Sequence, residues 1–163
     1  MTLDTAGHPT TFACMNATFR PGHAGDATLI RAFVRSAYAK WVPVMGREPL
    51  PMTADYDAAL QTHVFRLGFV AGELGCLIEI RAEPDHLWVE NIAVRPDLQG
   101  QGLGRQMLDL TMADARARTL PCVRLLTNAA LTSNVQFYQT YGFTLDATEA
   151  FRGGFIVRFS KPV

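Results

Sequence analysis

The spacing of apolar positions changes period several times along the chain, and each change marks an element. Leu29, Ile30, Phe33, Val34 and Ala37 recur at helical steps. Asp26 stands where such a helix needs an N-cap, and Tyr38 and Trp41 extend the pattern until Pro43 stops it. Ahead of it, Thr11 to Phe19 reads as a first strand, broken by Arg20-Pro21-Gly22, and the polar residues 1–10 read as a loose tail. Val44 to Thr53, with Gly46, Pro49 and Pro51, reads as a loop, followed by a short helix over Asp55–Gln61.

The middle of the chain is rich in strand patterns. Val64–Val70 and Leu74–Arg81 flank Ala71-Gly72-Glu73 as a hairpin, and His86–Val94 follows the turn Glu83-Pro84-Asp85. After Pro96 the helical step returns at Leu103, Met107, Leu110, Ala113 and Ala117. Val123–Thr127 reads as a strand. Ser133 and Gln136 have capping-box spacing and open a short helix carrying Phe137, Tyr138 and Tyr141, with Gly142 at its C-terminal end. Phe143–Thr148 and Phe155–Ser160 close the chain around Gly153-Gly154. The order β-α-α-β-β-β-α-β-α-β-β predicts a mixed α/β, α+β-like sheet. The crossover from Trp88–Val94 to Val123–Thr127 should be parallel and right-handed.

Composition narrows the classes of function. The chain has 163 residues, the size of one domain, and no internal repeat or low-complexity linker, so 1–163 is read as a single unit. Lys plus Arg and Asp plus Glu are both 15, so the basic excess of a dedicated nucleic-acid binder is missing. Cys14, Cys76 and Cys122 are far apart and odd in number, which suggests neither a metal site nor a disulfide framework and fits a reducing cytoplasm. Cys122 reads as an inert core residue. No signal peptide and no membrane-spanning apolar run is recognisable.

The sharpest chemical signal is Val94-Arg95-Pro96-Asp97-Leu98-Gln99-Gly100-Gln101-Gly102-Leu103-Gly104-Arg105. A strand runs into glycines and then into a helix, and unpaired N–H groups at a helix start attract anions, phosphate above all. A P-loop needs Lys and then Ser or Thr after its last glycine, where this chain has Arg105-Gln106. A dinucleotide fingerprint needs a third glycine where this chain has Arg105 or Met107. The spacing Gln99-x-x-Gly102-x-Gly104 instead resembles the pyrophosphate loop of the GNAT-type acyl-CoA N-acyltransferases. Downstream, Asn134-Val135-Gln136-Phe137-Tyr138-Gln139-Thr140-Tyr141-Gly142-Phe143 is similar to a later motif of that superfamily. The resemblance covers roughly Val64 to Phe159. The early segment Tyr38, Trp41, Val42, Pro43, Gly46, Arg47, Glu48 and Pro49, with Asp55-Tyr56, also looks like one bacterial branch of the superfamily.

The resemblance implies a mostly antiparallel mixed sheet of six or seven strands, a splayed parallel pair and helices on both faces. It implies that acetyl-CoA is held by Gln99, Gly100, Gln101, Gly102, Leu103, Gly104 and Arg105 at its pyrophosphate. Ile92, Ala93 and Val94 would lie along the pantetheine arm, with an N–H near Ala93 or Val94 on the thioester carbonyl, and Asn134 would bind nearby. Tyr138 matches the family acid at the sulfur, with Tyr141 three residues on as the alternative. A phenol with an ordinary pKa near ~10 is protonated at neutral pH and able to donate.

For the base, strand alternation puts Glu90 between Trp88 and Ile92, where partial desolvation would tune it. Glu79 is the second candidate, and Glu90 has the alternatives of binding a cationic substrate or pairing with Arg81 or Arg124. His63 and His86 read as strand-end residues rather than bases. Tyr38, Trp41, Glu48 and Tyr56 are candidates to line the acceptor pocket. The expected activity is N-acetylation of a small-molecule or peptidyl amine by direct attack in a ternary complex. A non-catalytic acyl-CoA sensor on the same scaffold is the alternative. No metal, nucleic acid or membrane partner is expected, and a homodimer is compatible with the resemblance.

Overall fold

A computed structural model describes residues 15–163. The predicted tail, Cys14 and the start of the predicted first strand lie outside the described residues. Seven strands form one sheet: β1 (Thr18–Pro21), β2 (Val64–Val70), β3 (Glu73–Ala82), β4 (Leu87–Val94), β5 (Cys122–Asn128), β6 (Thr144–Phe151) and β7 (Gly154–Pro162). The spatial order is β1-β2-β3-β4-β5-β7-β6. All neighbours are antiparallel except β4 and β5, which are parallel. The helices are α1 (Ala27–Tyr38), α2 (Val42–Met45), α3 (Tyr56–Thr62), α4 (Leu103–Ala117) and α5 (Thr132–Tyr141).

The sheet separates two apolar layers. Ile30, Val34 and Ala37 of α1 pack with Tyr56 of α3 and with Phe65, Leu67 and Leu77 on one face. Met107, Leu108 and Met112 of α4 and Tyr138 of α5 pack with Ile78, Ile80, Leu87 and Leu125 on the other. Alternation within the strands accounts for this, since Leu77 enters one layer and its neighbours Cys76 and Ile78 the other.

Several local expectations change. Pro21 remains paired with Arg66, so the first break falls after it. Pro43 does not end helical structure, because it sits in the first turn of α2, where its missing N–H costs nothing. Asp26 precedes α1 but makes no side-chain cap; its carboxylate is taken by both Arg20 nitrogens at 2.8 Å and by the His23 N–H at 2.9 Å. The helix after β5 begins at Thr132, with Leu131 in the cap position, so the Ser133–Gln136 box is not formed. Asn128 leads the chain into that helix by accepting from the Ala130 N–H at 2.9 Å. Cys122 is partly exposed where β5 begins, with Sγ 4.0 Å from the Asp85 carbonyl, and is not a core residue.

The parallel pair is short. Leu87, Trp88 and Val89 pair with Val123, Arg124 and Leu125, and the pairing then ends although both strands continue. On its other edge β4 carries a bulge. Glu79 pairs with Asn91 and Ile80 with Val89, so Glu90 is the extra residue. The bulge exchanges the faces of β4. Leu87 and Val89 belong to the α4 layer before it, whereas Ile92 and Val94 pack on that layer after it and Ala93 joins the α1 layer.

Candidate active site

Two cavities open along the splay between β4 and β5. One, about 530 Å³, runs past Ile92, Ala93 and Val94, along Gln99, Gly100, Gly102, Leu103, Gly104 and Arg105, and against Phe137 of α5. The other, about 670 Å³, lies under α3 and the Pro49–Pro51 segment and reaches His63, Glu79, Glu90 and Asn91. Tyr38, Ile92, Asn134 and Tyr138 line both, so the two cavities meet there.

The first cavity has the chemistry of an anion groove. Gly102 takes the N-cap position of α4 with φ +89°, and Gly100 has φ +75°, a region in which side chains are strained. Leu103, Gly104 and Arg105 open α4, and helix geometry leaves their N–H groups without an intrahelical acceptor. Arg105 adds a guanidinium, stacked 5.2 Å from the Tyr141 ring centre. Gln101 does not line the groove and turns its amide to the Asp97 carbonyl at 3.2 Å.

Gln99 lines the groove and donates from Nε2 to the Val94 carbonyl at 3.0 Å. Tyr38 likewise donates to the Ile92 carbonyl at 3.2 Å. Both carbonyls therefore face the gap rather than β3. Because backbone groups alternate along a strand, the N–H groups of Ile92 and Val94 face it too, and that of Ala93 does not. Lys40 was not singled out by any sequence pattern, yet it lines this groove, bonds Gln99 and lies 4.6 Å from the Trp41 ring centre.

Tyr138 is buried between the rings of Phe137, Phe143 and Phe159, with centroids 5.3, 6.0 and 5.8 Å away. No described residue hydrogen-bonds its hydroxyl. Burial pushes this phenol well above its ordinary pKa, so it keeps its proton at neutral pH. Tyr141 is committed elsewhere, donating to Asp109 at 2.6 Å. Asn134, in the first turn of α5, offers a side chain to both cavities.

The second cavity is aromatic and acidic. Tyr38 donates to Asn91 Oδ1 at 2.7 Å, Asn91 Nδ2 donates to the Tyr56 hydroxyl at 3.3 Å, and Tyr56 donates to the Pro51 carbonyl at 2.6 Å. This chain of bonds ties α1, α3 and β4 together, and burial raises the pKa of both phenols. Glu90 lines the cavity, but the expected sandwich between Trp88 and Ile92 is not formed, because the bulge re-aims it. Its side chain is 40% exposed and lies 3.5 Å from Arg81. Arg124 pairs with Asp85 instead, at 3.5 Å.

Glu79 is the buried carboxylate here, 5% exposed, with His63 Nδ1 at 2.6 Å. Desolvation pushes it above the usual carboxylate range, opposed by the His63 bond. A charged residue inside the apolar run Leu74–Ile80 was the sequence signal for it. Of the other predicted pocket residues, Tyr38 and Tyr56 do line the acidic cavity. Trp41 lines the anion groove, because the turn after α1 carries it to that side. Glu48 lines neither cavity and is held outside by Arg35 at 2.8 Å. His86 is bonded to Asp85 at 2.7 Å and lines neither cavity.

Comparison with known proteins agrees with this fold. The family model for the acetyltransferase (GNAT) domain matches residues 62–145. Among solved structures, a GCN5-related N-acetyltransferase from Rhodopseudomonas palustris superposes with a TM-score of 0.77 at 16% identity, over 96% of this chain and 100% of that one. The ribosomal-protein-S18-alanine N-acetyltransferase of Escherichia coli gives 0.73 at 18% identity, over 90% and 93% of the two chains. A GNAT acetyltransferase from Elizabethkingia anophelis, solved with acetyl-CoA bound, gives 0.68 at 18%, over 91% and 99%. A comparison with the curated proteins finds no match.

The chain belongs to the GNAT acetyltransferases. Acetyl transfer from acetyl-CoA is the class of activity that membership carries. Among the described residues, no helix is long and apolar enough to cross a membrane, and no group of three or more His, Cys, Asp and Glu side chains is placed to hold a metal ion.

Proposed function

We propose that this protein is an N-acetyltransferase that acetylates a primary amine of a small molecule or peptide by direct attack in a ternary complex. The observation that carries this reading is the meeting of an anion groove and an acidic, aromatic cleft at Tyr38, Ile92, Asn134 and Tyr138. The groove fits acetyl-CoA, because Gly100 and Gly102 remove side chains where a diphosphate would approach the backbone, and Lys40 and Arg105 add positive charge. When bound there, acetyl-CoA supplies an acetyl group already activated as a thioester.

The N–H groups of Gly102 to Arg105 would hold the diphosphate, and Ile92 and Val94 would extend backbone groups to the arm as an added strand does. The Val94 N–H would take the charge that develops on the carbonyl oxygen. Tyr138 holds its proton for the departing sulfur. Glu90, at the half-exposed side of the cleft, draws in the ammonium form of the acceptor.

Thiol release from acetyl-CoA across a panel of amines, with the product mass recorded, tests the reading. The wild-type protein should acetylate at least one amine. Tyr138→Phe should lower kcat ~10²-fold or more while coenzyme A affinity stays within a few-fold. Tight coenzyme A binding with no turnover on any amine would make the protein a sensor. Unchanged kcat in Tyr138→Phe would move the acid elsewhere.

A further inference from the structure

Whatever amine enters the cleft arrives mainly as ammonium, since alkylamines have a pKa near ~10, and must lose a proton before it can attack. Glu90 is a weak candidate to accept it. Its side chain is 40% exposed and faces Arg81 at 3.5 Å. A second set of groups lines the same cleft and is built differently.

His63 ends α3 and opens into β2, with its side chain 18% exposed, and Glu79 lies beneath it on β3. The 2.6 Å contact uses Nδ1. With Glu79 ionised the carboxylate accepts, Nδ1 carries the hydrogen and the lone pair of the neutral ring is on Nε2. No described residue bonds Nε2. The arrangement is that of an oriented imidazole, fixed from behind by a buried carboxylate and free on the other side. Imidazole titrates between pH 5 and 8, the range in which a general base is most effective at neutral pH.

From the placement of these groups we infer that the His63–Glu79 pair is the proton acceptor for the acceptor amine, with His63 Nε2 taking the proton and Glu79 positioning the ring. The inference rests on the N-acetyltransferase reading. In the step it implies, the amine nitrogen forms a bond to the acetyl carbon and the carbon–sulfur bond breaks with its electron pair on sulfur. Of the three protons of the ammonium, one stays on the amide and one goes to His63. The third replaces the proton that Tyr138 gives to sulfur. His63 then releases its proton to solvent. The titratable and charged groups that face the pair are Glu90 on β4, Arg81 on β3, Tyr38 on α1 and Tyr56 on α3, with Asp55 and Arg47 further along the cleft.

The test pairs kinetics with a measurement on the protein alone. In wild type, the kcat/KM profile should fall on its acidic side, and the His63 ring, followed by NMR of histidine-labelled protein, should titrate at the pH of that fall. Glu79→Gln should shift the ring's titration and its Nδ1–H resonance. His63→Gln and Glu79→Gln should lower kcat/KM by ~10²–10⁴-fold and flatten the acidic limb. Glu90→Gln should raise KM and keep the limb.

A His63→Gln enzyme with the limb intact and activity within threefold overturns the inference, as does loss of the limb in Glu90→Gln alone. If the His63→Gln protein does not fold, the wild-type ring titration decides, and a mismatch with the limb overturns it. Wild-type protein that binds coenzyme A but acetylates no amine sinks the N-acetyltransferase reading, and this inference with it. Unaffected variants of an active enzyme sink the inference alone.

Discussion

At single positions, what could be read in advance depended on whether a residue's neighbours are close in sequence. Gly68 shows the limit. In the sequence it is a glycine inside a strand pattern, with no stated reason. In the fold a Cβ there would lie 2.5 Å from the Cys76 sulfur and 2.8 Å from the Phe19 ring, and the β2–β3 register shifts beside it. Gly68→Ala should therefore lose ~1–3 kcal/mol of stability in urea unfolding, even though alanine suits a strand better than glycine. Adding Cys76→Ala should recover more than an additive sum allows, because it removes one of the two clashes. A neutral or stabilising Gly68→Ala would show that the strands yield there. The same limit explains Glu90, whose expected desolvation assumed unbroken alternation. Because β4 is apolar on both faces, the phase shift of its bulge does not show in the hydrophobic period. Glu79 was easier to notice, because a carboxylate among apolar neighbours is conspicuous in one dimension, but its partner His63 is brought to it only by the β2–β3 pairing.

Whole elements were more legible than their ends. The β2–β3 hairpin, β4, α4, β5 and the final hairpin all follow period and turn chemistry close to where they were expected. Side-chain caps were less so, because capping is a competition among nearby partners: Asp55 does cap α3, whereas Leu131 rather than Ser133 or Gln136 frames the start of α5. Asp26 illustrates this. Local rules make it a cap for α1, but Arg20, brought alongside by β1, takes both of its oxygens. The hydrogen bonds from Arg20, ahead of that from His23, hold this carboxyl down at about 2. A carboxyl whose folded pKa lies below its unfolded value of ~3.9 stabilises fully above the unfolded value, and the contribution is lost as pH falls through the folded one. Asp26→Asn should thus cost ~1–2 kcal/mol at pH 7, allowing for the partly exposed arginine. The difference from wild type should close between about pH 4 and pH 2. Equal stabilities at pH 7, by urea titration of both proteins, would mean that the pair does not hold β1 to α1.

At the scale of the molecule the decisive feature is a sheet that is incompletely zipped. β5 keeps its pairing with β7 as far as Asn128, but it leaves β4 after Val89. The order of elements made a parallel crossover legible, and the glycine spacing located the loop at its mouth. The length of the open segment was not legible, since it depends on where a bulge and two side-chain bonds, from Tyr38 and Gln99, free β4 from its neighbour. Those bonds occupy carbonyls in the gap, while the N–H groups of Ile92 and Val94 remain to be matched. Coenzyme A in this gap would act as the missing strand, and two kinds of protection should then be separable by hydrogen exchange. Amides that exchange through global unfolding should slow by ~100-fold at a ligand concentration of 100 Kd, because binding to the folded state alone adds ~2.7 kcal/mol. Ile92, Val94 and the Gly102–Arg105 amides should slow by more than that, since they exchange through local opening until the ligand covers them. The outer hairpin of β6 and β7 should show no such excess. Excess protection there, or none at Ile92 and Val94, would place the cofactor outside the splay and remove the physical basis for putting an acetyl group beside Tyr138.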